Sequence, residues 1–135
     1  HTPNSITQDL KTAKAMTKKR LIHVFGSAGL RDKTKRPIMG NASAEFADVI
    51  VLTEEDYRTE DVNEIIEEVA SGIPPDKEVH KLPSREEAIA FALNLASPGD
   101  LVIITGKGHE KSLCRGTIEY PWSDQECVKT ILKKL

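Results

Sequence analysis

Apolar residues along the chain follow two periods. Continuous apolar runs at 21–25 (Leu21, Ile22, Val24, Phe25), 48–52 and 100–104 are each closed by small or polar residues. Such runs predict short strands buried on both faces. Glu78-Val79-His80-Lys81-Leu82 alternates instead, which predicts a strand nearer an edge. Between these runs the spacing turns helical. Ile6, Leu10, Ala13 and Met16 follow Thr2-Pro3, with Lys18, Lys19 and Arg20 at the C-terminal end; Met39, Ala42, Phe46 and Ala47 lie in a helix of about 37–47 that Pro37 opens. Val62, Ile65, Ile66 and Val69 share one face of a helix stopped by Gly72 and Pro74-Pro75. Ser84 caps a helix over 85–95, with Glu87 in capping-box register. Residues 113–120 predict a weak hairpin around Gly116, and Ser123-Asp124 open a last helix carrying Cys127, Val128, Ile131 and Leu132. Strands alternating with helices of ten to fifteen residues predict βαβ units: an α/β fold with a mainly parallel sheet and helices on both faces.

Three apolar strands run into three polar loops. The first, 26–36, holds Gly26-Ser27-Ala28-Gly29 and then Arg31, Lys33, Lys35 and Arg36; the second, 53–60, is acidic; the third is Gly106-Lys107-Gly108-His109-Glu110. Parallel neighbours bring such loops to one sheet edge, where open α/β sheets bind ligands. A rim with both signs of charge suits a ligand that is itself both anionic and cationic. Each loop also has a plainer reading. The cations fit a solvated turn, Glu55 and Asp56 fit pairing with Arg58 or capping of the next helix, and Lys107 and His109 fit ordinary surface positions. The coincidence of three loops favours a site.

Composition narrows the classes. A chain of 135 residues fits one domain. Nineteen basic against twenty-one acidic residues leave a net charge of −2, so nothing points to nucleic acid or a membrane surface. Cys114 and Cys127 fall in no metal-ligand spacing and read as reduced thiols of a cytoplasmic protein, with no metal site. No GxxxxGK[ST] phosphate loop, GxGxxG turn or GxSxG elbow occurs. Any ATP would therefore find its principal phosphate site elsewhere. The start at His1, without an initiator methionine, fits a piece of something longer.

The stretches HTPNS (1–5), GSAGLRDKTKRPIMG (26–40), ADVIVLTEEDYRTED (47–61), PGDLVIITGKGHE (98–110) and Ser123-Asp124-Gln125-Glu126 resemble, in order and across nearly the whole chain, the C-terminal domain of the Mur ligases. The likeness is greatest to members that add an amino acid, usually a diamino acid, to UDP-N-acetylmuramoyl-L-alanyl-D-glutamate (UDP-MurNAc-L-Ala-D-Glu) in peptidoglycan precursor synthesis. It implies one amino-acid-binding domain over 1–135 with a Rossmann-like mixed sheet. It also implies a cytoplasmic, ATP-dependent amide-forming ligase acting through an acyl phosphate. ATP and Mg would be held mainly by a central domain that this sequence lacks, with that domain and an N-terminal one as partners and the isolated 135 residues inactive.

Arg31 then takes the place of an arginine that holds an amino-acid carboxylate. Glu55, Asp56, Tyr57 and Arg58 take that of the Asp-Asn-Pro-Arg motif, and Gly106 and Glu110 that of the remaining amino-acid contacts. Lys33, Lys35 and Arg36 keep a basic pattern on the nucleotide side; Lys107, His109 and His1-Thr2-Pro3 fall near it without an assigned contact, and no catalytic residue is implied. Asp56 stands where the motif has an amide. An ionised Asp only accepts hydrogen bonds, which tilts the expectation toward lysine or ornithine over meso-diaminopimelate, unless Asp56 caps the following helix or Arg58 neutralises it. Two other readings remain: a non-catalytic doubly wound binding or interaction domain, and a folylpolyglutamate-synthetase-like ligase domain, against which the GKGHE and RDKTKRP stretches weigh.

Overall fold

The computed structural model describes residues 2–135. Four parallel strands, β1 (Leu21–Phe25), β2 (Val49–Leu52), β3 (Glu78–Lys81) and β4 (Leu101–Ile104), form a sheet in the order β3-β2-β1-β4. In register, Val24 lies beside Val51 and Ile104. The alternating strand stands at an edge, as its pattern predicts. Among the described residues this sheet is wholly parallel rather than mixed: the antiparallel pair β5 (Ser112–Arg115) and β6 (Ile118–Pro121) makes a separate two-stranded sheet.

Because strand side chains alternate between faces, the apolar runs feed two cores. Leu21, Phe25, Ile50 and Leu52 face α1 (Pro3–Met16), α2 (Lys35–Phe46) and α3 (Val62–Ala70), through Ile6, Leu10, Met39, Ile66 and Val69. Ile22, Val24, Val49 and Val51 face Ala88, Ile89 and Ala92 of α4 (Arg85–Leu95), with Val128 and Ile131 of α5 (Asp124–Lys134) completing that layer. Helices thus cover both faces of a parallel sheet.

The helix starts are set locally. Thr2 and Ser5 form a reciprocal capping box at α1, while Asp61, Ser84 and Ser123 each accept a backbone N–H of the helix they begin. α2 starts at Lys35, two residues before Pro37. It packs on α3 backbone to backbone: a Cβ at Gly40 would lie 2.1 Å from the Val69 carbonyl oxygen, and one at Gly72 1.8 Å from that of Pro37.

Candidate active site

The three polar loops meet at one end of the sheet around a cavity of about 590 Å³. Arg31, Lys35, Glu55, Asp56, Arg58, Gly106 and Glu110 line it, with Thr2 at the start of α1 and Ser27 in the first loop. The convergence expected from the strand pattern is therefore present. Tyr57 and Lys33 do not line the cavity. Of the His1-Thr2-Pro3 segment, His1 lies outside the described residues.

The loops are held chiefly to one another. Gly29 N–H donates to the Asp56 carbonyl over 2.9 Å, and a Cβ at Gly29 would come within 2.0 Å of the Tyr57 carbonyl oxygen. The two glycines of the first loop thus serve close approach to the acidic loop, while Ser27 and Ala28 between them line the cavity. The acidic loop also meets the hairpin, where Arg58 N–H donates to the Cys114 carbonyl and Gly116 N–H to that of Arg58. Leu30, Asp56 and Arg58 all have positive φ (57°, 40° and 55°). Two of these side-chain-bearing residues, Asp56 and Arg58, line the cavity, where their positive φ marks backbone strain held by the surrounding bonds.

Several charged residues differ from their sequence expectation. Arg36 turns inward, 1% exposed, and bonds Glu60 at 2.7 Å, Glu68 at 2.6 Å and the Ala28 carbonyl. Its charge is engaged by those carboxylates, so it does not join a basic rim. Asp56 neither caps a helix, since Asp61 caps α3, nor bonds Arg58 through its carboxylate. Both its oxygens accept from Lys107 Nζ at 2.9 Å, and Oδ1 also accepts the Cys114 N–H at 2.8 Å. Burial alone would raise its pKa, but these donors hold it below the usual range. Lys107 is no surface residue. It is 2% exposed, and its third bond goes to Glu110 at 2.8 Å. His109 stays exposed and pairs with Gln125.

Glu55 is different again. It is 7% exposed, its Oε1 has no hydrogen-bond partner among the described residues, and burial pushes its pKa up to about 7 despite nearby Arg85 and Lys107. It does not pair with Arg58, whose Nη1 donates to the Gly29 and Asp56 carbonyls. A carboxyl so placed at a cavity wall is a candidate partner for a cationic ligand group.

Sequence reasoning missed the supporting layer. Fully buried Arg85 makes two 2.8 Å bonds to Asp124 and reaches the carbonyls of Glu54 and Thr105. Arg115 forks onto both oxygens of buried Glu54 at 2.8 and 2.9 Å. His23, wholly buried, lies between Ser43 and Thr105 hydroxyls at 2.8 Å each; burial, with Arg85 nearby, drives its pKa down to about 3 and keeps it neutral. These partners lie 20 to 82 residues apart in the chain, beyond any local signal. The best hint was Asp124, read only as a helix start. Among the described residues no group of three or more His, Cys, Asp or Glu is arranged to hold a metal ion, and no helix is long and apolar enough to cross a membrane.

Residues 1–108 match the family described as Mur ligase, glutamate ligase domain. The chain belongs to the Mur ligase family. Over 98% of this Mur ligase domain, the UDP-N-acetylmuramoyl-L-alanyl-D-glutamate--2,6-diaminopimelate ligase of Lawsonia intracellularis is 43% identical, and that of Aquifex aeolicus 42% identical. The match covers 27% of each relative, so the chain spans about a quarter of their length. A solved UDP-N-acetylmuramoyl-L-alanyl-D-glutamate--2,6-diaminopimelate ligase superposes with a TM-score of 0.95 at 36% identity, over 99% of this chain and 28% of that one. The tilt toward lysine or ornithine loses its footing in the structure. Asp56 spends its charge on Lys107, which removes the premise, and these relatives are named for diaminopimelate.

Proposed function

We propose that this domain receives the incoming amino acid, 2,6-diaminopimelate, in an ATP-dependent ligase that joins it by an amide bond to UDP-MurNAc-L-Ala-D-Glu in peptidoglycan precursor synthesis. The observation that carries the reading is the cavity itself: the cations Arg31, Lys35 and Arg58 and the carboxyl groups of Asp32, Glu55, Asp56 and Glu110 line one space, and of these carboxyls Asp56 is already held by Lys107. Diaminopimelate offers a carboxylate and an ammonium at each end, which such a lining complements. The planar fork of arginine matches both oxygens of a carboxylate. The relatives' names support the same substrate pair.

The domain's contribution is orientation. An amine held about 3–3.5 Å from an acyl phosphate reacts as if at very high local concentration. The sequence carries no GxxxxGK[ST] phosphate loop, so we assign ATP and Mg to the central domain of the same enzyme, with its N-terminal domain as a further partner. Such a ligase works in the cytoplasm, where its substrates are made, and serves the cell wall on which cell shape and division depend.

The test is Arg31→Ala and Arg58→Ala in the ligase that carries this domain. Each loses a charge-assisted contact worth about 1.5–3 kcal/mol, so the KM for diaminopimelate is expected to rise roughly ten- to a hundredfold, with the KM for ATP unchanged. An unaltered diaminopimelate KM in both variants would overturn the reading.

A further inference from the structure

We propose that Lys107 is a positioning residue for the far end of the amino acid, holding Glu110 so that its carboxylate meets the far ammonium. This rests on the substrate reading above. Lys107 itself does not line the cavity, whereas its neighbours Gly106 and Glu110 and its partner Asp56 do. All three donors of Nζ are used, two on Asp56 and one on Glu110 Oε1. With Oε1 bound from behind, Glu110, whose side chain is 60% exposed, keeps Oε2 for the cavity.

The local backbone explains the pairing. Glu110 N–H donates to the Lys107 carbonyl at 2.9 Å, closing a turn that brings the two side chains together. Asp56 is the fixed anchor, tied to the hairpin through the Cys114 N–H. Lys107 thus connects a rigid, strained loop to an otherwise exposed carboxylate. Burial opposes its charge, but Glu110 and Asp56 outweigh that and hold its pKa above the ordinary value. A buried ion pair is a poor way to gain stability, since an apolar side chain of similar volume often does as well. Orientation of Glu110 is what the buried cation adds.

The experiment uses Lys107→Met in the whole ligase. It compares the KM for diaminopimelate with the inhibition constant of 2-aminopimelate, which keeps the far carboxylate and lacks the far ammonium. If Lys107 acts through Glu110, the KM rises roughly tenfold, kcat at saturation holds, and the 2-aminopimelate constant stays within about twofold. Equal weakening of both ligands, or an unchanged KM, overturns the proposal. Should Lys107→Met not fold, Asp56→Asn/Lys107→Met, which leaves no unpaired buried carboxylate, is read in the same way. A normal diaminopimelate KM in Arg31→Ala and Arg58→Ala refutes the substrate reading. A raised one there, with equal weakening or no effect at Lys107, refutes only this inference.

Discussion

Glu55 shows how burial turns a side chain into a proton-dependent part. An ordinary glutamate is ionised near neutrality, but here the side chain is buried in the cavity wall, one oxygen lacks a protein donor among the described residues, and burial pushes the pKa up to about 7 against a usual 4.5. The folded protein therefore binds this proton more tightly than the unfolded chain. Its contribution to stability is complete below about pH 4.5 and is lost as pH rises through 7. Glu55→Gln mimics the neutral form. The variant is expected to be more stable than the parent at pH 8 by about 3 kcal/mol, an advantage that vanishes at pH 4. Urea unfolding of both chains at the two values checks this, and equal stability at pH 8 would contradict it. A sequence shows Glu55 as the middle one of three consecutive acids; only the fold separates it from Glu54, which Arg115 neutralises, and from Asp56, which Lys107 does.

At the scale of elements, strands and helices were legible because their signals are local. The runs at 21–25, 48–52 and 100–104 needed no partner to be recognised, and Ser84, Ser123 and Thr2 announce the helices they cap. What could not be read was how elements touch. Gly40 in mid-α2 looks like a weakness, costing about 1 kcal/mol against alanine in helix propensity. Yet Gly40→Ala would drive a methyl to 2.1 Å from a backbone oxygen of α3, and overpacking of this kind costs about 1–3 kcal/mol. The clash outweighs the propensity gain, so the variant is expected to unfold at lower urea concentration than the parent. An unchanged or higher midpoint would mean that α2 and α3 part easily.

For the whole molecule, the sequence pattern gave the placement of the three loops but not the polar framework beneath them. Arg85, reaching Asp124 39 residues away, and His23, reaching Thr105 82 residues away, become visible only when the sheet is assembled. Arg36 was misplaced for the same reason: its spacing matched the other cations, and its partners Glu60 and Glu68 sit on and before a different helix. The chain contains no phosphate-binding GxxxxGK[ST] loop. Alone it is expected to release no phosphate above background from ATP when supplied with UDP-MurNAc-L-Ala-D-Glu and diaminopimelate. Turnover by the 135 residues would show that coupling chemistry resides in this domain.

The mutual bonding of the loops has an evolutionary corollary. Gly29 to Asp56, Arg58 to Cys114 and Gly116 to Arg58 are joined through main-chain atoms, which every residue except proline carries in full. Side chains that face the cavity can then be exchanged while the walls stand, and selectivity drifts along a path that selection for folding leaves open.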